Sequence, residues 1–282
     1  MIVRRAVDRV FRMGAMLVTA SVFGGLLSVV AWTAAKGLGT VTWCMLTQTP
    51  AWSYYLGGGG GIANAIVGSA CLAAGATLIA LAVGVPCALY LGTYARGSRL
   101  AELVRASLET LWGVPSIVVG AFGFALMVWL GLKPSLLVGM GTVALLELPV
   151  IVRSIDEVMR TVPSELEEAS LALGATRAET ATRVIARQCM PGAVTGTLLA
   201  FGRGIGDAAA VMLTAGFTDA VPRSLTDPVA TLPLLVLYQL GSPVDQVRQR
   251  AYGACLVLTL IVAATSLASR LVWLRLARHV AR

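Results

Sequence analysis

Lysine and histidine are nearly missing from this 282-residue chain: Lys36 and Lys133 stand against twenty arginines, and His279 is the single histidine. Charge of either sign is scarce, at 13% of residues, while hydrophobic residues make up 57%. That balance excludes a soluble globular domain. The five cysteines (Cys44, Cys71, Cys87, Cys189, Cys255) show no paired spacing. They read as small core residues, not as a disulfide or metal framework. No Gly-Lys-Ser/Thr occurs, so the five glycines at 57–61 are not a nucleotide loop and the chain has no other candidate. The run reads as a flexible entry to a helix, with an anion-attracting helix N-terminus as the alternative. A net charge of +8 would suggest nucleic acid in a soluble protein. Here the arginines flank apolar runs, and membrane topology explains them instead.

What is present is a set of six apolar runs long enough, or nearly so, to cross a ~30 Å hydrocarbon core. They cover residues 13–35, 62–91, 111–130, 135–152, 193–217 and 252–273. The first follows Arg4, Arg5, Arg9 and Arg12, but it is longer than a signal-peptide core and reads as an uncleaved span. Residues 229–240 are apolar too; short and interrupted by Pro233, they read as an interfacial or re-entrant helix. With both termini inside, sixteen basic residues fall on cytoplasmic segments, five (Lys36, Lys133, Arg223, Arg248, Arg250) fall outside, and Arg203 lies within a span. That asymmetry favours both termini in the cytoplasm. Pro86, Pro115 and Pro149 can kink their helices, and Gly113-Val114-Pro115-Ser116 breaks the third run near its cytoplasmic start. Glu147, two residues before Pro149, is read as a structural carboxylate snorkelling toward the cytoplasmic surface, ahead of a functional one.

Between the fourth and fifth runs lies a charged, amphipathic island, residues 163–191. Leu166, Ala169, Ser170 and Leu173 fall on one face of a short helix that Pro163 opens and Gly174 ends. Thr176, with Glu179 three residues on, has the spacing of a capping box for a second helix. Ala178, Ala181, Ile185 and Cys189 form that helix's apolar stripe. A mere linker has little reason to hold two capped helices about a Gly turn, so the pattern points to a docking element on the cytoplasmic side. Glu168-Ala169-Ser170, Gly174, Ile185 and Pro191 resemble the EAA loop of bacterial ABC-importer permeases, with Ser170 in place of the usual Ala and Met190 in place of Leu. The resemblance implies that these residues couple the chain to a cytoplasmic ATPase.

The fifth run carries the charge. In Phe201-Gly-Arg-Gly-Ile-Gly-Asp207, Arg203 and Asp207 are four apart, which on a continuous helix places them on one face near the bilayer midplane. A charge there costs at least ~2.5–3.5 kcal/mol and normally faces a bundle interior or a water-filled path. Gly202, Gly204 and Gly206 let another backbone approach closely. Two readings stand: a self-neutralising pair that glues helices, or an anion site in which Arg203 meets phosphate-like oxygens and Asp207 holds it while the site is empty.

Five stretches together resemble the PstA-type permease family of bacterial phosphate importers: residues 60–66, 113–120, 148–154, 162–169 and the Arg203…Asp207 segment. The likeness runs from about residue 57 to 276. Asp207 stands where Glu is common, residues 218–249 depart most, and Glu147 matches no position associated with the family. The resemblance implies an all-α polytopic membrane protein of type I ABC-importer architecture: six transmembrane helices with a cytoplasmic helix-turn-helix coupling loop. It would form one transmembrane domain over 1–282, with a shared core at about 62–276 and an extra N-terminal span at about 13–35. It implies residence in the bacterial inner membrane and inorganic phosphate as cargo. Arg203 and Asp207 would lie in the path, with no catalytic or metal-binding residues and no cofactor in the chain. The implied partners are a PstC-type sister permease, a homodimeric cytoplasmic ATPase carrying ATP and Mg, and an external phosphate-binding protein; nucleic acid is not among them. The rivals are a permease for another oxyanion (phosphonate, sulfate or molybdate) and an ion-coupled secondary transporter, which calls for an inverted repeat and membrane carboxylates.

Overall fold

Long apolar runs in lipid must satisfy their own backbone polar groups, and helices do so within one segment. The computed structural model, which describes residues 2–276, is accordingly helical. His279, Arg278 and Arg282 lie outside the described residues. In chain order the helices are α1 (Ile2–Gly37), α2 (Trp43–Thr47), α3 (Ala63–Thr93), α4 (Arg99–Gly113), α5 (Ser116–Trp129) and α6 (Leu136–Met159). There follow α7 (Ser164–Ala172), α8 (Arg177–Glu179), α9 (Ala186–Gly206), α10 (Leu232–Leu240) and α11 (Asp245–Leu276). A π-helical stretch, Thr180–Ile185, joins α8 to α9 without a break.

α3, α6 and α9 form the centre. α3 and α6 run parallel: Gly75 meets Met140, Gly84 meets Ile151 and Gly92 meets Met159. α9 packs antiparallel on α6 through small residues four apart, Gly192, Gly196, Ala200 and Gly204, all buried. Gly192 lies against Val158 and the Ser154 carbonyl, Gly196 against Ser154, and Gly204 against Val143 and Glu147. Without side chains in the way the two backbones come close, and packing replaces the hydrophobic driving force that lipid does not supply. The stripe at 192–204 is thus the close contact, whereas Gly206 has open space beside it. α1 packs along α11, with Gly37 against the Tyr252 carbonyl, and is otherwise exposed along its apolar length.

Among the described residues, α1 (from Val7), α3, α6 and α11 are each long and apolar enough to cross a membrane. The third run becomes a bent pair, α4 and α5, turned by 104° at Val114-Pro115. A residue before proline is driven to extended backbone, and Val114 sits at φ −70°, ψ 128°. α4 is amphipathic and capped by Ser98, whose hydroxyl accepts from the Ala101 N–H at 3.2 Å. Arg105 forks onto Asp156 at the end of α6, Nε to Oδ2 at 3.1 Å and Nη2 to Oδ1 at 2.9 Å, and Arg160 joins the same carboxylate at 3.1 Å.

The fifth run departs from the single span that hydropathy predicts at 193–217. α9 begins earlier and stops at Gly206, where Asp207 turns extended at φ −82°, ψ 119°. Glycines weaken the helix on the approach, and the Asp207 carboxylate accepts from the Ala210 N–H at 2.9 Å, capping the next turn instead of continuing the last. Ala210, Val211, Thr214 and Ala215 beyond it are fully buried. Their irregular backbone is stitched to its surroundings: the Thr214 carbonyl accepts from Ser135 at 3.0 Å and the Ala215 carbonyl from Val229 at 2.9 Å. α10 then forms the short helix expected near 229–240, with the Ser69 hydroxyl accepting from Leu232 N–H at 2.8 Å.

The glycine run at 57–61 is no anion site. The amides of Gly61, Ile62 and Ala63, at the start of α3, donate to the carbonyls of Thr49, Met45 and Gln48 at 3.2, 2.8 and 3.0 Å. Any Cβ at Gly61 would strike three carbonyls of the Cys44–Gln48 stretch, and Gly60 holds φ +117°. Glycine is there for close approach of one backbone to another. Arg250 closes the same corner, 4.9 Å over the Tyr54 ring and 3.2 Å from the Gly57 carbonyl. All five cysteines are free; Cys189 is a buried core residue as the sequence suggests, but Cys44 is exposed and Cys71 lies on the exposed face of α3.

Candidate functional site

Arg203 and Asp207 do not form the helix-face pair that their spacing predicts. α9 ends between them, both are half-buried, and among the described residues no ion pair joins them. The Asp207 carboxylate is engaged with backbone at Ala210. Arg203 stands on the last turn of α9, beside the Gly204 that packs on α6.

The acidic group at that level is Glu147 of α6. It is completely buried, and one of its oxygens lies where a Cβ at Gly204 would be. The Arg203 guanidinium is the charge that acts on it, and the Thr77 hydroxyl of α3 faces it. Neither Glu147 oxygen meets the geometry of a hydrogen bond to another described residue. Reading the fourth span as residues 135–152 brings Glu147 close to the cytoplasmic surface. The helix instead runs on to Met159, because Asp156 is neutralised by Arg105 and Arg160. Glu147 is therefore roughly 18 Å from that end, at 1.5 Å per residue, in the middle of α6. It cannot snorkel. The missed signal was the i,i+4 spacing of Asp156 and Arg160, which lets a helix carry charge past its apolar stretch.

The hairpin is built as its sequence specifies. α7 ends in Gly174 at φ +84°, a conformation that costs glycine nothing. Thr176 and Glu179 form the capping box: the Thr176 hydroxyl accepts from the Glu179 N–H at 3.2 Å, and the Glu179 carboxylate accepts from the Thr176 N–H at 3.0 Å. Hydrogen bonds from the Thr176 backbone and hydroxyl hold the Glu179 carboxyl below its usual range. Across the turn, the Ser170 and Thr180 hydroxyls pair at 2.9 Å. Glu168 and Ala169 are exposed, Ser170 is half-buried, and Ile185 and Pro191 are buried. Three stripe residues depart from expectation: Ala169 is exposed, Leu173, 89% exposed, projects from the tip, and Ala178 is exposed as well. Their neighbours leave the membrane bundle at the turn, so no described residue covers them. The second helix does not close at Pro191 but continues to Gly206. The hairpin and Arg203 thus lie on one helical rod, roughly 40 Å from Arg177 to Arg203 at 1.5 Å per residue.

The family of binding-protein-dependent transport system inner membrane components matches residues 84–282. Phosphate transport system permease protein PstA 1 of Mycobacterium tuberculosis (strain ATCC 25618 / H37Rv) is 34% identical over 238 residues, covering 82% of this chain and 77% of that protein. The PstA protein of Yersinia pestis is 33% identical, covering 76% and 73%. That of Haemophilus influenzae is 32% identical, covering 75% of each. In three dimensions, a chain of the inward-facing MetNI methionine ABC transporter superposes with a TM-score of 0.63 at 19% identity, over 78% of this chain and 96% of that one. That likeness concerns the fold alone.

Proposed function

The chain belongs to the family of binding-protein-dependent transport system inner membrane components, and from that membership we propose that it is the permease subunit of an ATP-driven inorganic phosphate importer. It is a multi-pass inner-membrane protein, and its relatives are named as phosphate transport permeases. We read residues 1–282 as one transmembrane unit with a shared core at about 62–276 and an added span at about 13–35. A sister permease supplies the other half of the path. ATP and Mg act on a separate cytoplasmic ATPase dimer, and an external phosphate-binding protein delivers the anion.

The observation that carries this reading is the unbroken rod from Arg177 to Gly206. One end bears the exposed hairpin and the other bears Arg203. A shift imposed on Glu168, Ala169, Ser170 and the Gly174 turn by the ATPase is carried by Ile185 and Pro191, both buried against the bundle, into the turn that holds Arg203. Arg203, always charged and forked, suits phosphate oxygens. Asp207 lines the path but serves the backbone first.

Reconstituting the chain with its sister permease, ATPase and binding protein tests the proposal. Phosphate should stimulate ATP hydrolysis and accumulate inside, whereas sulfate, molybdate and a phosphonate should do neither; stimulation by one of those instead would reassign the cargo. For topology, in a background with the native cysteines replaced, a cysteine at Ser224 should react with an impermeant thiol reagent on intact spheroplasts, and one at Ser164 should not.

A further inference from the structure

We propose that Glu147, and not Asp207, is the counter-charge of Arg203: a positioning residue that holds the guanidinium between anion passages and opposes its grip on the anion. This rests on the reading of Arg203 as the phosphate-contacting residue.

Four observations converge. Glu147 sits at the middle of α6 with no exposed surface, where an ionised carboxylate needs a partner. Among the described residues neither of its oxygens meets the geometry of a hydrogen bond, although the Thr77 hydroxyl faces it. α9 makes room for it: Gly204, immediately after Arg203, is the residue its carboxylate overlies, and any side chain there would displace it. Asp207, the alternative, lies beyond the end of α9 with an oxygen committed to the Ala210 amide. Among the described residues the groups facing Glu147 are Thr77 from α3 and Arg203 and Gly204 from α9; no ion pair within 4.0 Å joins Arg203 to Glu147 or to Asp207, and Arg203 is the cation that acts on Glu147. When ionised, the Glu147 carboxylate keeps a mobile guanidinium from collapsing onto other acceptors. It also lowers the net field that an arriving anion meets, which favours release as much as capture.

The test uses the whole reconstituted transporter. Glu147→Gln should lower the maximal phosphate uptake rate by about tenfold, while the half-saturating external phosphate, set by the binding protein, moves less than about twofold. Glu147→Asp should recover a large part of the rate. The second readout is the melting temperature of the detergent-purified complex. Arg203→Gln leaves Glu147 buried and unpaired and should destabilise it, and Arg203→Gln with Glu147→Gln should recover most of that loss, a non-additive cycle. Glu147→Gln transporting at the wild-type rate while Arg203→Gln is inactive overturns this inference and leaves the anion reading intact. Arg203→Gln transporting normally overturns the anion reading itself. The melting cycle decides independently of transport: strictly additive shifts mean that the two charges are not paired.

Discussion

The two ends of the rod from Arg177 to Gly206 are made by opposite means. The hairpin end is assembled from neighbours in sequence: a glycine at positive φ, a capping box spanning three residues, and hydroxyls ten residues apart. Its turn and its cap are closed by local contacts, although Leu166 and Ile185 pack on the bundle core and Arg96 reaches Glu167 at 3.7 Å, and its tip, Leu173, stands in solvent. The Arg203 end is assembled from distance: a carboxylate 56 positions earlier, a threonine further back still, and a glycine whose only feature is what it lacks. A surface for a partner can be locally specified because the partner supplies the remaining contacts. A charged site inside a membrane takes its partners from other helices, so it exists only when separate helices meet.

Breaking each end should have a different signature. Arg203→Gln has the largest effect: phosphate uptake is lost while the complex still assembles, since the charge that meets the anion is gone. Gly174→Val comes next. Forcing a β-branched residue to φ +84° strains the turn by about 1–2 kcal/mol, a factor of roughly 5–30 in docking equilibria. Binding-protein-stimulated ATP hydrolysis should fall accordingly with abundance unchanged; normal coupling in this variant would show the hinge to be incidental. Thr176→Ala removes the cap at about 1 kcal/mol, so stimulated hydrolysis should fall about fivefold or less and uptake in proportion.

The cap also sharpens the comparison through pH. The Glu179 carboxyl is held below its usual value, so its contribution to the hairpin is complete above the unfolded carboxyl range and is lost only as pH falls through the lower folded value. Stimulated hydrolysis by the purified complex should therefore show no step between pH 6 and 8 that Glu179→Gln removes. Asp207→Asn is expected to be the mildest. The asparagine carbonyl can accept from the Ala210 N–H as Asp207 does, and uptake should stay within about twofold of wild type. A large loss there would return the counter-charge to Asp207 and away from Glu147.

The sequence alone determined the membrane class, the existence of the spans at α1 and α11, the boundaries of α3, the break before α5, and the hairpin down to its turn glycine and capping residues. Each of these follows from interactions between residues a few positions apart: hydropathy over one span, pre-proline sterics, caps and positive φ. Only the tertiary structure decided three others. α6 outlasts its apolar stretch because Arg105, fifty-one positions before Asp156, neutralises a carboxylate that hydropathy counts as a terminus. α9 stops inside an apolar run because Asp207 finds a better use for its carboxylate in capping the next turn, and carbonyls beyond it accept from the Ser135 and Val229 amides. Glu147 moves from a supposed surface group to the buried neighbour of Arg203 because α6 and α9 approach through glycine. In each case the deciding partner is remote along the chain, and a charge in lipid takes its meaning from whichever group folding brings beside it.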